Sequence, residues 1–194
     1  MKRPSELRRC PYLIAAAALS LWLTACQTLP TEHPPLSVAA ETTLYFSLKG
    51  RISVRVADRI DTAQIRWQRL PGEEKLQLFT PLGSQVAEIS ALTNGVATLR
   101  QGGKIQTADT LGALTETVLG VALDTGSIAL WIQGAGAGPW RENEAQEIAL
   151  KDGRIWQVTL EKLRISGQYA YTSRLTATCD DTTLRLVIDE WQAS

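Results

Sequence analysis

The side chains that could carry out chemistry are few in this sequence. Among 194 residues there is one histidine, His33, and it lies in the proline-rich stretch Gln27–Glu41. A Ser-His-Asp triad needs an imidazole beside its nucleophile, and the chain contains no Gly-x-Ser-x-Gly motif. The carboxylates of Asp180 and Asp181 stand between two strand patterns, where a solvated turn is expected. We therefore predict no catalytic residue, no metal site and no cofactor.

The cysteine with a predicted chemical role is Cys26. Residues 1–25 open with a basic segment and continue with an uncharged 13-residue run, Tyr12–Thr24. This run is shorter than the about 20 residues needed to cross a bilayer, and it is typical of a secretory signal peptide. Leu23-Thr24-Ala25-Cys26 resembles the lipobox of bacterial lipoproteins, which implies cleavage before Cys26 and acylation of that residue. Two or three acyl chains give stable membrane attachment, and Gln27, in place of an aspartate, favours the outer membrane.

Removal of residues 1–25 changes the charge of the chain. Four of the 20 basic and one of the 20 acidic side chains leave, so the mature 169 residues carry 16 basic and 19 acidic groups, a formal charge of −3. This balance disfavours a nucleic-acid partner. Cys179 is then the remaining thiol, so no internal disulfide can form and the domain must rely on its core.

Residues 26–41 are predicted to hold the folded domain away from the membrane. The stretch contains three prolines and little apolar periodicity, which indicates an extended linker. At about 3.1 Å per residue it would reach some 45 Å. The folded domain is then expected to span residues 42–194.

The domain sequence alternates with a period of two residues. Ile52, Val54 and Val56 alternate with polar residues. The pair Ile65 and Trp67 and the pair Leu76 and Leu78 are each separated by one polar residue in the same way. Such alternation predicts antiparallel strands with one dry and one wet face. Similar patterns resume in residues 145–150, 154–166, 169–179 and 182–190, separated by turn signals.

Two short helical patterns interrupt the strands. Leu111, Leu114 and Leu119 recur at helical spacing before Gly120, and residues 126–133 form a second segment. The glycine-rich run 134–138 lacks the Lys-Ser/Thr of a phosphate loop. The expected fold class is α+β, a single curved antiparallel sheet covered by short helices.

Residues 46–191 resemble the LolB family of outer-membrane lipoprotein receptors. The resemblance rests on a set of short motifs in the same order and spacing. They are Phe46-x-x-x-Gly50, Ile65-Arg66-Trp67-Gln68, Leu76–Ser84, Leu119-Gly120, Leu130-Trp131-Ile132-x-Gly134, Trp156-x-Val158 and Leu184–Trp191. It implies an unclosed half-barrel with a helical lid, which accepts lipoproteins from the periplasmic carrier LolA and inserts them into the inner leaflet of the outer membrane. Ala122-Leu123-Asp124 replaces the proline often found between the lid helices of the family.

The implied cavity would bind acyl chains with apolar side chains alone. The candidate lining residues are Ile52, Val54, Ile65, Trp67, Leu78, Val86, Leu130, Trp131 and Ile132. The alternative is an ordinary filled core. In that case the protein would be a lipid-anchored scaffold of envelope assembly without a ligand.

The segment Thr80-Pro81-Leu82-Gly83 is predicted to form a type I turn. Proline suits the second position of such a turn and glycine the fourth, which places Leu82 at its tip. An exposed leucine can be incidental. The family resemblance instead implies a membrane-insertion loop of Pro81, Leu82 and Gly83, in which the leucine delivers cargo into lipid. We further expect a monomer with no enzymatic activity.

Overall fold

The computed structural model describes residues 42–93, 95–135 and 139–194. The signal peptide, Cys26, the linker and His33 lie outside the described residues, so the predictions made for them remain predictions. Asn94 and residues 136–138 of the glycine-rich run also lie outside.

Ten antiparallel strands form one sheet in which the first and last strands are neighbours. Along the chain the strands are β1 (Phe46–Val56), β2 (Arg59–Leu70), β3 (Glu73–Phe79), β4 (Gln85–Leu92), β5 (Ala97–Gln101), β6 (Lys104–Ala108), β7 (Ala145–Ala149), β8 (Ile155–Ser166), β9 (Tyr169–Cys179) and β10 (Thr182–Ala193). Their order in the sheet is β6-β5-β4-β3-β2-β1-β10-β9-β8-β7. The edge strands β6 and β7 do not pair, so the sheet stays unclosed.

Two short helices connect the edge strands. Helix α1 is Leu111–Leu119 and helix α2 is Thr125–Ile132. Helix α1 contacts β4, β5 and β6, whereas α2 contacts β8 and β9. We call the sheet face that the helices cover the inner face. The predicted α+β half-barrel with a lid of short helices is confirmed.

Cross-strand register builds the inner face from rows of apolar side chains. One row crosses the first half of the sheet through Leu48, Trp67, Leu76, Ile89 and Leu99, each paired with the next. All five side chains are buried. Because alternate residues of a strand point to opposite faces, the residues between them form the solvated outer face.

A second row crosses the other half through Ile52, Leu186, Leu175 and Leu160. Its members are also buried. The two rows continue across the β1–β10 pair, so one apolar core runs beneath both helices.

Gly50 lies at the closest approach of the two central strands. The β1–β10 register shifts between Lys49 and Gly50, so that β10 contains one extra residue. A Cβ atom on Gly50 would meet the Val187 carbonyl oxygen at 2.0 Å. Glycine is therefore required at this bulge by lack of space.

Candidate functional site

Seven of the nine predicted lining residues lie together beneath the helices. They belong to one buried apolar cluster and come from β1, β2, β3 and α2. They are Ile52, Val54, Ile65, Trp67, Leu78, Trp131 and Ile132. The strands contribute alternate residues, and α2 contributes the side of the helix that faces the sheet.

The placement of Val86 and Leu130 in this lining is wrong. Val86 is 40% exposed because β4 turns Ala87 and Ile89 inward, and its even-numbered residues point to the outer face. Leu130 is only partly buried. It lies about 200° around α2 from Ile128, on the side that faces away from the sheet.

The face assigned to Val86 can be tested with a matched pair of substitutions. Val86→Thr is expected to change the free energy of unfolding by less than about 0.5 kcal/mol, because the hydroxyl of the introduced threonine stays in water. Val158→Thr is expected to lower the free energy of unfolding by about 1–3 kcal/mol. Val158 is fully buried, so the hydroxyl of the introduced threonine would lose its contact with water. Urea denaturation of both variants measures the difference. Equal losses would contradict the assignment of Val86 to the outer face.

Strands β8, β9 and β10 supply the other half of the inner face. The predicted lining residues include none from these strands. Its buried members include Trp156, Val158, Leu160, Leu175 and Leu184. The alternation of Trp156, Val158 and Leu160 with polar residues is the signal that identifies them.

The interior beneath the helices is closed in this structure. A cavity of about 10 Å³ remains between α2 and the sheet, bordered by Leu123, Ile128, Trp131, Trp156 and Leu184 among others. That volume is about the minimum for one water molecule. The ring centroids of Trp131 and Trp156 are 6.2 Å apart. The inner face is therefore filled by its own side chains and those of the helices.

Trp156, whose ring borders this cavity, has a buried polar atom without a partner. Trp156 is only 3% exposed, and its indole Nε1 lies without a hydrogen-bond acceptor. An unsatisfied buried donor costs about 1–3 kcal/mol. The Nε1 atoms of Trp140 and Trp191 are buried without an acceptor as well, so the unpartnered donor is not specific to the cavity.

Polar contacts hold both ends of α2, one to the segment that precedes β1 and one to β2. At the C-terminal end, Gln133 Nε2 donates to the Thr43 carbonyl at 2.7 Å, and the Thr43 amide donates back to Gln133 Oε1 at 2.8 Å. At the N-terminal side, Arg69 Nη1 donates to the Thr125 carbonyl at 3.4 Å. Gln133 is buried, which strengthens its contribution relative to an exposed contact.

Arg154 holds the connector between the two helices, residues 120–124. Its Nη2 donates to the Ala122 carbonyl at 3.0 Å. Its Nε donates to Asp152 Oδ2 at 2.7 Å, and the guanidinium carbon lies 5.6 Å from the centroid of the Trp156 ring. The side-chain hydrogen bond from Arg154 lowers the pKa of the Asp152 carboxyl. The guanidinium therefore favours the ionised form of the Asp152 carboxyl.

The connector is also attached to α1 through a buried hydroxyl. Thr115 Oγ1 lies 2.8 Å from the Gly112 carbonyl and 3.1 Å from the Val121 carbonyl, either of which can accept its proton. It also accepts from the Leu123 amide at 2.9 Å. The connector and α1 consequently form one unit, which Arg154 joins to the β7–β8 turn.

The Leu82 turn is built so that the leucine makes no packing contribution. The Gly83 amide donates to the Thr80 carbonyl at 2.9 Å, and the Thr80 amide donates to the Ser84 carbonyl at 2.8 Å. Gly83 has φ = 88°, whereas Leu82 is not among the residues with positive φ, as a type I turn requires. Leu82 is 96% exposed. The predicted geometry of Pro81, Leu82 and Gly83 is thus present, at the end of the sheet where β3 meets β4.

Cys179 is a buried thiol at the end of β9. Burial is the main cause that raises its pKa, and the adjacent Asp180 charge acts in the same direction. A raised pKa reduces the thiolate fraction near neutral pH. Cys179 is therefore a core residue rather than a reactive group.

We expect Cys179 to react at least about tenfold more slowly with a thiol reagent in the folded protein than in urea, since burial hinders access and thiolate formation. The measurement uses the mature chain with Cys26→Ala, so that Cys179 is its remaining cysteine. Similar rates in the two conditions would show that the thiol is accessible.

Neither a cluster of metal ligands nor a membrane-spanning helix is found in the part of the chain that the structure describes. No group of three or more His, Cys, Asp or Glu side chains there could hold a metal ion. No helix among the same residues is long and apolar enough to span a bilayer.

Solved structures that match this chain include a LolA superfamily protein from Nitrosomonas europaea. It is 9% identical, covers 79% of this chain and 88% of its own, and gives a TM-score of 0.46. A putative outer membrane lipoprotein-sorting protein domain from Vibrio parahaemolyticus is 8% identical and gives a TM-score of 0.44, over 77% of this chain and 85% of its own.

Sequence comparisons give a family match over most of the domain. The family model described as outer membrane lipoprotein LolB matches residues 45–191. The outer-membrane lipoprotein LolB of Thiobacillus denitrificans is 31% identical over 186 residues, which cover 94% of this chain and 98% of the relative. That of Azoarcus sp. is 27% identical over 188 residues, 95% of this chain and 96% of the relative.

Proposed function

Because this chain belongs to the LolB family of outer-membrane lipoproteins, we propose that it receives lipoproteins from the periplasmic carrier LolA and inserts them into the inner leaflet of the outer membrane. The observation that carries the proposal is the lid. Two short helices cover the apolar face of an unclosed sheet and are fastened to it by a few polar contacts.

Acyl chains are the cargo chemistry that this inner face suits. Its buried side chains are almost all apolar, so they bind hydrocarbon without directional contacts. Burial of a few hundred Å² of acyl surface at about 25 cal/mol per Å² contributes several kcal/mol. This contribution offsets the displacement of the helices that the closed interior requires.

Separate segments of the mature chain anchor the protein, give the domain its reach and contact the lipid. The acylated Cys26 anchors the protein at the periplasmic face of the outer membrane, and residues 27–41 give the domain its reach. The turn of Pro81, Leu82 and Gly83 contacts the lipid. The protein acts as a monomer and changes no covalent bond of the cargo.

The proposal is tested by the first transfer step. A radiolabelled lipoprotein bound to LolA is mixed with the mature chain carrying Cys26→Ala, and the two proteins are separated. We expect the label to move to this chain. Label that stays on the carrier at a molar excess of this chain would refute the proposal.

The closed interior supports a second candidate, an anchored scaffold with a filled core. The two functions differ in what the purified protein contains. Acyl chains that copurify in stoichiometric amount with the Cys26→Ala form, detected by mass spectrometry, support the receptor. Their absence, together with failure of the transfer step, supports the scaffold.

A further inference from the structure

Exposed apolar side chains continue from the Leu82 turn onto the outer face of the neighbouring strands. Val86, near the start of β4, is exposed, and Ile105 in β6 is 66% exposed. Ile105 pairs with Arg100, and Arg100 pairs with Glu88 in β4. Val86 lies two residues before Glu88 and therefore on the same face of the sheet. Two residues along a strand and two strand spacings place Val86 and Ile105 about 12 Å apart.

The same part of the chain is almost free of acidic side chains. Residues 76–108, which include β4, β5 and β6, contain two basic side chains and one acidic side chain, a net charge of +1. The acidic residue is Glu88, whose Oε1 lies 3.4 Å from Arg100 Nη1. Lys104 opens β6 and is exposed. The salt bridges of the described residues leave Lys104 without a carboxylate partner, so its charge is free to attract an anion.

The turns on the other side of Leu82 have the opposite charge. At the same end of the sheet, the β1–β2 turn contains Asp58, and the β9–β10 turn contains Asp180 and Asp181. All three side chains are exposed, and both turns lie in the middle of the strand order. An anionic surface attracts basic side chains and repels acidic ones. Such a surface is therefore approached by the Leu82 turn and the β4–β6 edge, with the acidic turns facing away.

We propose that Val86, Lys104 and Ile105, which we call the edge patch, contact a bilayer of anionic phospholipids together with Leu82. The inference rests on the proposed function and adds to it the orientation of the domain on the membrane. The apolar side chains enter the interface, and Lys104 binds lipid phosphate groups. Because Leu82 alone contributes too little to hold the domain, the edge patch keeps it against the lipid while cargo is released.

Vesicle binding without cargo tests the edge patch directly. The mature chain with Cys26→Ala is sedimented with vesicles of phosphatidylcholine, or of phosphatidylcholine mixed with phosphatidylglycerol. We expect Lys104→Glu to lower the partition coefficient on the mixed vesicles about five- to tenfold, because an attractive charge becomes a repulsive one. Ile105→Ser is expected to lower it about three- to tenfold on both kinds of vesicle. Unchanged partitioning of both variants, or a parent chain that does not bind the mixed vesicles, overturns the proposal.

Two matched substitutions control for charge and for apolar exposure. Lys151 is exposed in the β7–β8 turn, at the same end of the sheet but at its opposite edge. Ile165 in β8 is 67% exposed, almost as much as Ile105. Lys151→Glu and Ile165→Ser are therefore expected to bind vesicles like the parent chain. Equal losses in Lys104→Glu and Lys151→Glu would overturn the orientation.

Transfer of a fluorescent lipoprotein separates the edge patch from the proposed function. Lys104→Glu and Ile105→Ser should take up cargo from LolA at the parent rate and release it into the mixed liposomes about three- to tenfold more slowly. Slower uptake with unchanged vesicle binding would assign the surface to the carrier and overturn the lipid contact. A parent chain that takes up no cargo overturns the proposed function instead, whereas the vesicle measurement involves no cargo, so the two failures are distinguishable.

Discussion

Leu82→Glu is expected to abolish delivery of lipoproteins into membranes while leaving the fold and cargo uptake intact. The side chain is 96% exposed, and the backbone hydrogen bonds of residues 80–84 close the turn without it. Because Leu82 makes no packing contribution, the substitution is expected to leave the free energy of unfolding unchanged. Uptake involves the inner face and is expected to proceed at the parent rate.

The expected loss arises at the membrane. Insertion of a leucine into lipid contributes at most about 1.5–3 kcal/mol, which is too little to anchor the protein but enough to perturb the bilayer locally. A glutamate at the same position would have to lose its hydration, which is far more costly. The measurement follows a fluorescent lipoprotein from this chain to liposomes and separates uptake from release.

Leu92→Glu is the matched control for this prediction. Leu92 is 63% exposed and lies at the opposite end of the sheet, where β4 ends. Its substitution introduces the same charge away from the proposed lipid contact, and delivery should match that of the parent chain. If Leu82→Glu delivers cargo as well as Leu92→Glu does, the leucine has no role in insertion.

Gly50→Ala is expected to destabilise the domain by at least about 3 kcal/mol, at the upper end of the usual cost of overpacking. The obstacle is the Val187 carbonyl oxygen, 2.0 Å from the new Cβ atom, and a backbone atom in a paired strand cannot rotate aside. The β1–β10 pair joins the two halves of the sheet, so its separation affects the whole core. Urea denaturation monitored by tryptophan fluorescence measures the loss.

Arg51→Ala controls for the introduction of alanine into β1. Arg51 follows Gly50 directly and pairs with Asp189 in an exposed salt bridge, so its loss should cost less than about 1 kcal/mol. Similar midpoints for Gly50→Ala and Arg51→Ala would show that the bulge adapts to a side chain.

The fold was predictable because its dominant patterns are local. Ile52 and Val54 alternate with polar residues, and such alternation identifies a strand and its dry face. The spacing of Leu111, Leu114 and Leu119 identifies α1. The bulge at Gly50 was not predictable, because it arises from the register between β1 and β10, more than 130 residues apart along the chain. Such long-range register has no local signature in the sequence.

The inner face was predictable in part, for the same reason. A strand interior such as Ile65–Trp67 assigns its own faces, whereas Val86 stands at the start of β4, next to a shift in the β3–β4 register. Leu130 lies within the run of five apolar residues 128–132, so periodicity could not choose a side. The Arg154–Ala122 contact joins segments that are 32 residues apart, and no local sequence pattern predicts such a contact.

The closed interior and the proposed transport function are compatible because few polar contacts hold the lid, and acyl chains can replace the apolar packing that its displacement removes. The Arg154 hydrogen bond holds the connector and the Gln133 hydrogen bonds hold the C-terminal end of α2. Each such bond is worth about 0.5–1.5 kcal/mol, or more where charged. Burial of acyl chains can exceed their sum. The empty protein is thus expected to favour the closed state and the loaded protein the open one.

The most direct test of this account is complete transfer. A fluorescent lipoprotein is presented on LolA to liposomes that bear the acylated mature chain, and the label is followed into the lipid over time. The account predicts that the label leaves the carrier, passes through a complex with this chain and accumulates in the liposomes at a rate proportional to the amount of this chain. Label that remains on the carrier, or that enters liposomes equally fast without this chain, would contradict it.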